Sequence, residues 1–205
     1  TADGLASNFT KAIVPGDNGV MWTGGTGISK FDSPTWSTYL YPDLLAGNWI
    51  NSIVIDTEGH KWFGTRTGLS EYFADTWSTH PPTTGLASMI TTMAQDGAGR
   101  LWVGTRGGLY VLDGNTWTAY FTTDGLVSNA IDLVFPDENG NIWVAYASYG
   151  EGVSKFDGEN WTTYTTVDGL VDNEVSAIAV DLDGDLWFGT WLGASEFDGV
   201  NWTTY

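Results

Sequence analysis

The sequence predicts an all-β fold, a five-bladed β-propeller with four antiparallel strands in each repeat of about 41 residues. Three observations carry this. Ten of the twelve Trp fall into two series, Trp22, Trp62, Trp102, Trp143, Trp187 and Trp36, Trp77, Trp117, Trp161, Trp202, in steps of 40 to 44 residues. The 205 residues hold five such periods. Within each period, runs of Trp, Val, Ile, Thr, Tyr and Phe alternate with turns of Gly, Asp and Asn, and no long capped amphipathic helix pattern interrupts them. A single four-stranded blade cannot bury its own faces. A packed Trp buries roughly 150–250 Å², and at about 25 cal/mol per Å² two per blade supply a core without Cys, of which there is none.

The elements of one repeat follow in order. A Gly-Leu-like loop opens it: Asp3-Gly4-Leu5, Asp43-Leu44-Leu45, Thr84-Gly85-Leu86, Asp124-Gly125-Leu126, Asp168-Gly169-Leu170. Three residues after that Leu stand Asn8, Asn48, Met89, Asn129 and Asn173. A short apolar run such as Ile53-Val54-Ile55 makes the first strand. A turn at Gly19, Gly59, Gly99, Gly140 or Gly184 leads into the first Trp on the second strand. Gly24, Gly64, Gly104, Ala145 or Gly189 follows two residues later, where adjacent backbones are expected to crowd. A third strand and an outer strand close the repeat, as in Phe156-Asp157-Gly158-Glu159-Asn160-Trp161-Thr162-Thr163-Tyr164. This phase makes one domain over 1–205, with blades at 3–42, 43–83, 84–123, 124–167 and 168–205. It leaves each blade to one contiguous repeat, so a section of a longer array, or assembly with further copies, stays open beside it.

The residues resemble the two-component regulator propeller repeat, most clearly Leu101-Trp102-Val103-Gly104-Thr105-Arg106-Gly107-Gly108-Leu109-Tyr110 and Leu186-Trp187-Phe188-Gly189-Thr190. The resemblance runs through all five repeats. It implies a non-catalytic binding or sensing module outside the cytoplasm, periplasmic or secreted, with a carbohydrate or protein ligand. A structural or self-assembling surface protein is the second reading. Similar propellers include some lyases, a third. Repeat 4 departs most: Ala145-Tyr146 replaces Gly-Thr and three extra residues precede Val153, so a longer loop is expected there.

In such a blade the inter-blade loop and the loop between strands two and three share one face. That face is expected to carry Asn8, Asn48, Asn129 and Asn173, then Arg66, Arg106, Tyr146, Tyr149, Glu151 and Trp191 after the second strands, with Trp49 beside Asn48. The repeats differ most from one another here, as a binding face does. The Asn series is open to two readings, ligand contact or a bond to local backbone. Trp49 and Trp191 stand outside both Trp series and are the candidate stacking or anchoring residues.

Chemistry beyond binding finds little support. His60 precedes Trp62, and His80 takes the outer-strand place of Tyr39, Tyr120, Tyr164 and Tyr205, so the two are expected on different parts of a blade. No catalytic residue, metal ligand or cofactor is assigned. Asp181-Leu182-Asp183-Gly184-Asp185 alternates carboxylates, but its twelfth position is Leu192, and it reads as an acidic turn. A net charge of −18 argues against a nucleic-acid partner. No apolar run is long enough to insert in a membrane. The charge is uneven: residues 3–123 hold ten acids and six bases, while 124–205 hold fifteen acids and one base. Asn-X-Thr sequons stand at Asn8, Asn160 and Asn201.

Overall fold

The structure, a computed structural model, describes residues 4–42, 44–80, 86, 89–147 and 150–205. Among them, twenty strands form five antiparallel sheets of four. Blade 1 holds β1 (Thr10–Pro15), β2 (Met21–Gly25), β3 (Gly27–Asp32) and β4 (Thr35–Tyr39). Blade 2 holds β5 (Ile50–Ile55), β6 (Lys61–Thr65), β7 (Gly68–Phe73) and β8 (Thr76–His80). Blade 3 holds β9 (Ile90–Gln95), β10 (Leu101–Thr105), β11 (Gly108–Asp113) and β12 (Thr116–Tyr120). Blade 4 holds β13 (Ile131–Pro136), β14 (Ile142–Tyr146), β15 (Val153–Phe156) and β16 (Trp161–Tyr164). Blade 5 holds β17 (Val175–Val180), β18 (Leu186–Thr190), β19 (Ala194–Phe197) and β20 (Trp202–Thr204). Strand order follows the chain in every sheet, which is the five-bladed propeller architecture that the repeat predicts. No described helix is long and apolar enough to cross a membrane.

The chain forms two compact units, Thr1–Met93 and Ala94–Tyr205. In the first, Trp22 of blade 1 is buried among Leu45, Ile50 and Phe63 of blade 2, with its ring 5.5 Å from Phe63 and 5.4 Å from Tyr72. The second unit repeats the arrangement. Trp102 packs with Leu126, Ile131, Val144 and Phe156 of blade 4. Trp143 packs with Leu170, Val175, Phe188 and Phe197 of blade 5. Trp22, Trp102 and Trp143 are thus knobs, and the repeat after each supplies its socket. The Gly two residues on lets the sheets close in. A Cβ on Gly24 would stand 2.5 Å from Ile50 Cγ2, and one on Gly64 2.5 Å from Ile90 Cγ2. That is closer than carbon atoms approach, so the predicted crowding is real at both sites.

The turn before each of four knobs is built on one carboxylate. Asp56, Asp96, Asp137 and Asp181 each accept the indole N–H six residues on, from Trp62, Trp102, Trp143 and Trp187, at 2.8 to 2.9 Å. The other carboxylate oxygen accepts two backbone N–H groups within the turn; for Asp96 these come from Ala98 and Arg100, both at 3.0 Å. The Gly three residues on carries positive φ, between 83° and 90°, where a side chain is strained. Asp96 also receives Arg100 Nε–H at 2.7 Å. Burial would raise its pKa, but the bonds from Trp102 and Arg100 outweigh that and hold it below the usual carboxylate value.

A depressed folded pKa stabilises the fold above the unfolded value of 3.8, and the gain is lost as pH falls through the lower folded value. Asp96→Asn should therefore cost about 1–3 kcal/mol in denaturant unfolding at neutral pH. The gap to wild type should close as pH drops below about 4. Equal acid sensitivity of the two chains would remove Asp96 from the role of anchor.

Candidate ligand-binding site

The strand order places two kinds of loop at one end of each sheet: those joining second to third strands, and those leading from one blade to the next. Backbone bonds tie them together. Gly27 N–H donates to Asn48 O at 2.7 Å, and Arg66 N–H donates to Trp49 O at 3.2 Å. Thr26 forms an isolated antiparallel bridge with Trp49. In the second unit Ala147 N–H donates to Ala130 O at 2.8 Å, and Gly152 N–H to Asn173 O at 3.1 Å.

In the first unit this end carries a cluster of aromatic rings. The Arg66 guanidinium lies over the Trp49 ring, 4.7 Å from its centre. Phe9 meets Trp49 edge-on, with ring centres 5.8 Å apart. Tyr41, Ala46, Gly47, Asn48, Trp49, Arg66 and Thr67 line a groove of about 300 Å³. Trp49 is 43% exposed, Phe9 53% and Tyr41 54%, although the cation and edge contacts fix the indole in place. Such an arrangement combines a stiff apolar plate with charged and amide donors beside it. It brings together Trp49, Arg66 and Asn48 of the expected residues, with Asn8 exposed next to Phe9. Phe9 and Tyr41 were not among them. Phe9 was legible, since it follows Asn8 as Trp49 follows Asn48.

Three of the Asn serve the loops themselves. Asn48, Asn129 and Asn173 accept, through Oδ1, the backbone N–H seven residues earlier, from Tyr41, Thr122 and Thr166 at 2.7 to 2.9 Å. Asn173 also donates to Gly150 O at 3.2 Å.

Tyr146 departs from expectation. It is buried, not presented to a ligand. Its hydroxyl donates to Ser154 Oγ at 2.7 Å and accepts Val127 N–H at 3.2 Å. In blades 1, 2 and 5 the matching Ser hydroxyl takes that loop N–H directly, as Ser29 does from Ala6, Ser70 from Ala46 and Ser195 from Val171, all at 2.8 Å. Tyr146 is therefore a spacer in a structural relay, and burial pushes its phenol pKa up. The longer connection expected in blade 4 is present, since β14 ends at Tyr146 and β15 begins at Val153. Tyr149 lies outside the described residues. Glu151 Oε2 is buried and has no hydrogen-bond partner among them. Arg106 spends its charge on Asp132, at 3.3 Å on the surface. Trp191 stands 78% exposed at the turn between β18 and β19, beside Leu192 at 74%.

The two His converge, against expectation. Glu71 on β7 receives His60 Nδ1–H at one oxygen. The other oxygen receives His80 Nε2–H at 3.0 Å and the Ser78 hydroxyl at 2.9 Å. The residues are distant in the repeat, but the antiparallel pairing folds the turn and the outer strand toward the same β7 side chain. Burial would raise the Glu71 pKa; the bonds from His80, His60 and Ser78 prevail and lower it. His60 is stacked on Phe73 at 3.8 Å, so the group is sandwiched and structural. In blade 5, Asp181, Asp185 and Glu196 bring carboxylate oxygens within 4.8 Å of one another. Asp181 is the clamp of that blade, its oxygens already holding Trp187 and the turn N–H groups.

Residues 84–107 and 169–192 match the family model described as two component regulator propeller. No curated protein matches the chain in sequence. Solved structures of the same fold include the extracellular domain of a protein described as a hybrid two component system of B. thetaiotaomicron. It is 22% identical over 93% of this chain and 28% of its own, with a TM-score of 0.79. A one component system domain of B. thetaiotaomicron is 22% identical over 98% of this chain and 31% of its own, at 0.80. Virginiamycin B lyase from Staphylococcus aureus is 13% identical over 96% and 69%, at 0.73. The chain thus spans less than a third of the two Bacteroides domains and about two thirds of the lyase.

Replacing Tyr146 by Phe removes the acceptor of the Val127 N–H, while Ser154 keeps its bond to Thr163 Oγ1 at 2.9 Å. It should cost about 1–2 kcal/mol in denaturant unfolding, and Ser154→Ala in the same background should add less than it does alone.

Proposed function

We propose that the chain is a non-catalytic, extracytoplasmic sensing module that binds a carbohydrate in the groove at Trp49. The observation that carries the reading is the exposed indole held between Arg66 and Phe9 beside a groove lined by Asn48, Tyr41 and Thr67. A sugar ring offers an apolar face and a rim of hydroxyls, and this groove answers both. A groove of about 300 Å³ has room for one or two sugar units. The two component regulator propeller repeats and the extracellular sensor domains of like fold support the module type and its compartment. The lyase of like fold keeps catalysis in view. Against it stands the His pair here: both are held by Glu71, and His60 is stacked on Phe73.

A protein segment is the second reading. Leu40 and Leu44 are exposed on the same inter-blade loop as Tyr41, and Trp, Tyr and Arg are the side chains that anchor protein interfaces. A glycan array followed by titration calorimetry separates the two. Trp49→Ala should weaken oligosaccharide binding about tenfold or more, with Tyr146→Phe close to wild type. An array without hits would turn the reading to a protein ligand, and unchanged affinity in Trp49→Ala would remove the groove from the site.

A further inference from the structure

Among the first Trp of the five repeats, Trp22 alone has no Asp six residues before it. Gly16 stands there, at φ −105° and ψ −172°, an extended conformation open to any residue. A Cβ on Gly16 would lie 3.3 Å from both Cδ1 and Nε1 of Trp22, so the N–H edge of the ring faces this position. Trp62, Trp102, Trp143 and Trp187 each give that N–H to a carboxylate. Trp22 is 1% exposed, and among the described residues none accepts its N–H. A buried donor calls for an acceptor.

Trp22, Lys30, Lys61 and Tyr72 border a groove of about 370 Å³ between blades 1 and 2, at the end of the sheets opposite Trp49. Blades 4 and 5 hold the equivalent groove, of about 320 Å³. The strand registers match the two: Lys30 faces Trp22 as Lys155 faces Trp143, and Lys61 faces Tyr72 as Leu186 faces Phe197. The differences share one direction. Where blade 4 has Asp137, blade 1 has Gly16, so a carboxylate is lost. Where blade 5 has Leu186 and Phe197, blade 2 has Lys61 and Tyr72, so an ammonium and a hydroxyl are gained. The acids at the groove are partly engaged: Asp32 pairs with Lys30 at 3.4 Å, and Asp75 takes the Tyr72 hydroxyl at 2.7 Å. Lys61 Nζ donates to Gly59 O at 2.6 Å and meets no carboxylate among the described residues.

We propose that this groove binds a small carboxylate, an organic acid anion whose oxygens take the Trp22 N–H and the Lys61 ammonium in place of the Asp that the other four blades carry. The occupant is argued from the seat itself, which in those blades holds a carboxylate against an indole. Blade 3 shows the full set within the chain, since Asp96 takes both Trp102 N–H and Arg100 Nε–H. A free anion, unlike a tethered one, needs the charge-assisted bond that Lys61 adds. The site lies apart from the Trp49 groove and does not depend on sugar binding there.

NMR of the full chain tests this through the assigned indole N–H resonance of Trp22. Acetate is the probe, with acetamide and chloride at matched concentration as controls. Acetate should move the Trp22 resonance downfield and saturably below about 100 mM. The resonances of Trp62, Trp102, Trp143 and Trp187, already bonded, should stay in place. Lys61→Leu, which installs the blade-5 residue, should weaken acetate binding about tenfold. Gly16→Asp supplies the carboxylate from within the chain. Its Trp22 resonance should start near the acetate-bound position and no longer respond, and its urea midpoint should rise. A Trp22 resonance that acetate leaves unmoved, that acetamide or chloride moves as far, or that responds alike in wild type and Gly16→Asp would each overturn the proposal. Unchanged acetate affinity in Lys61→Leu overturns it whether or not Gly16→Asp folds.

Discussion

A carboxylate gripping an indole N–H is the interaction from which the rest of this structure is built. Asp56, Asp96, Asp137 and Asp181 each fix a turn through their backbone bonds and, in the same step, aim the Trp six residues later. The rings of Trp102 and Trp143, so aimed, fill the next blade. Local turn chemistry and long-range packing are therefore one event. Blade 1 shows what happens without the carboxylate. Gly16 holds the Asp position, and a Cβ there would lie 3.3 Å from the Trp22 ring. Trp22 is instead held by packing, stacked on Tyr39 at 6.0 Å with Lys30 Nζ 5.9 Å from a ring centre.

The framework was legible because it repeats. Two Trp series and a Gly turn predict five sheets of four strands without any knowledge of side-chain contacts. The Asp of the turn was equally periodic, at a constant six residues before the Trp, but acidic turns are so common that its role could not be separated from solvation. The indole N–H offers the missing reason, since a buried donor needs an acceptor. The convergence of His60 and His80 was hidden for another reason. Contact across an antiparallel sheet depends on register and side-chain direction, and the register position of Glu71, which joins them, is held by Lys30, Val111, Lys155 and Glu196 in the other repeats.

Tyr146 and Trp49 show how a break in a repeat can mean opposite things. Tyr146 replaces a repeated Thr, Trp49 stands where other repeats carry Phe9, Ala130 and Glu174, and both lie at the variable end. Tyr146 stands where Thr65, Thr105 and Thr190 cap the turn by donating to the Gly carbonyl three residues on. With the loop lengthened, that carbonyl is out of place, and the longer side chain reaches inward to the loop N–H and Ser154. Trp49 precedes a first strand whose Ile50 is already buried, so its ring turns outward, to Arg66 and Phe9. Novelty in a repeat marks a candidate. Whether its neighbours leave it an inward path decides between a structural patch and a surface site.

The same reasoning reinterprets the charge. Of the fifteen acids in 124–205, Asp124, Asp137, Asp157, Asp168, Asp172, Asp181 and Asp198 each accept a backbone N–H in a turn or loop. Nearly half of the negative charge in these repeats is thus a by-product of turn construction, which selects Asp for its short side chain and paired acceptors rather than for its field. What remains is not neutral in effect. Asp185 sits where Arg100 neutralises the corresponding turn of blade 3, and its pKa is raised by partial burial and by Asp181, Glu196, Asp198 and Asp183 around it. Turn chemistry built this acidity without a cationic ligand in view, and the half-buried Trp187 shares its sheet with that uncompensated cluster. Salt that screens the carboxylates therefore relieves the repulsion within that turn.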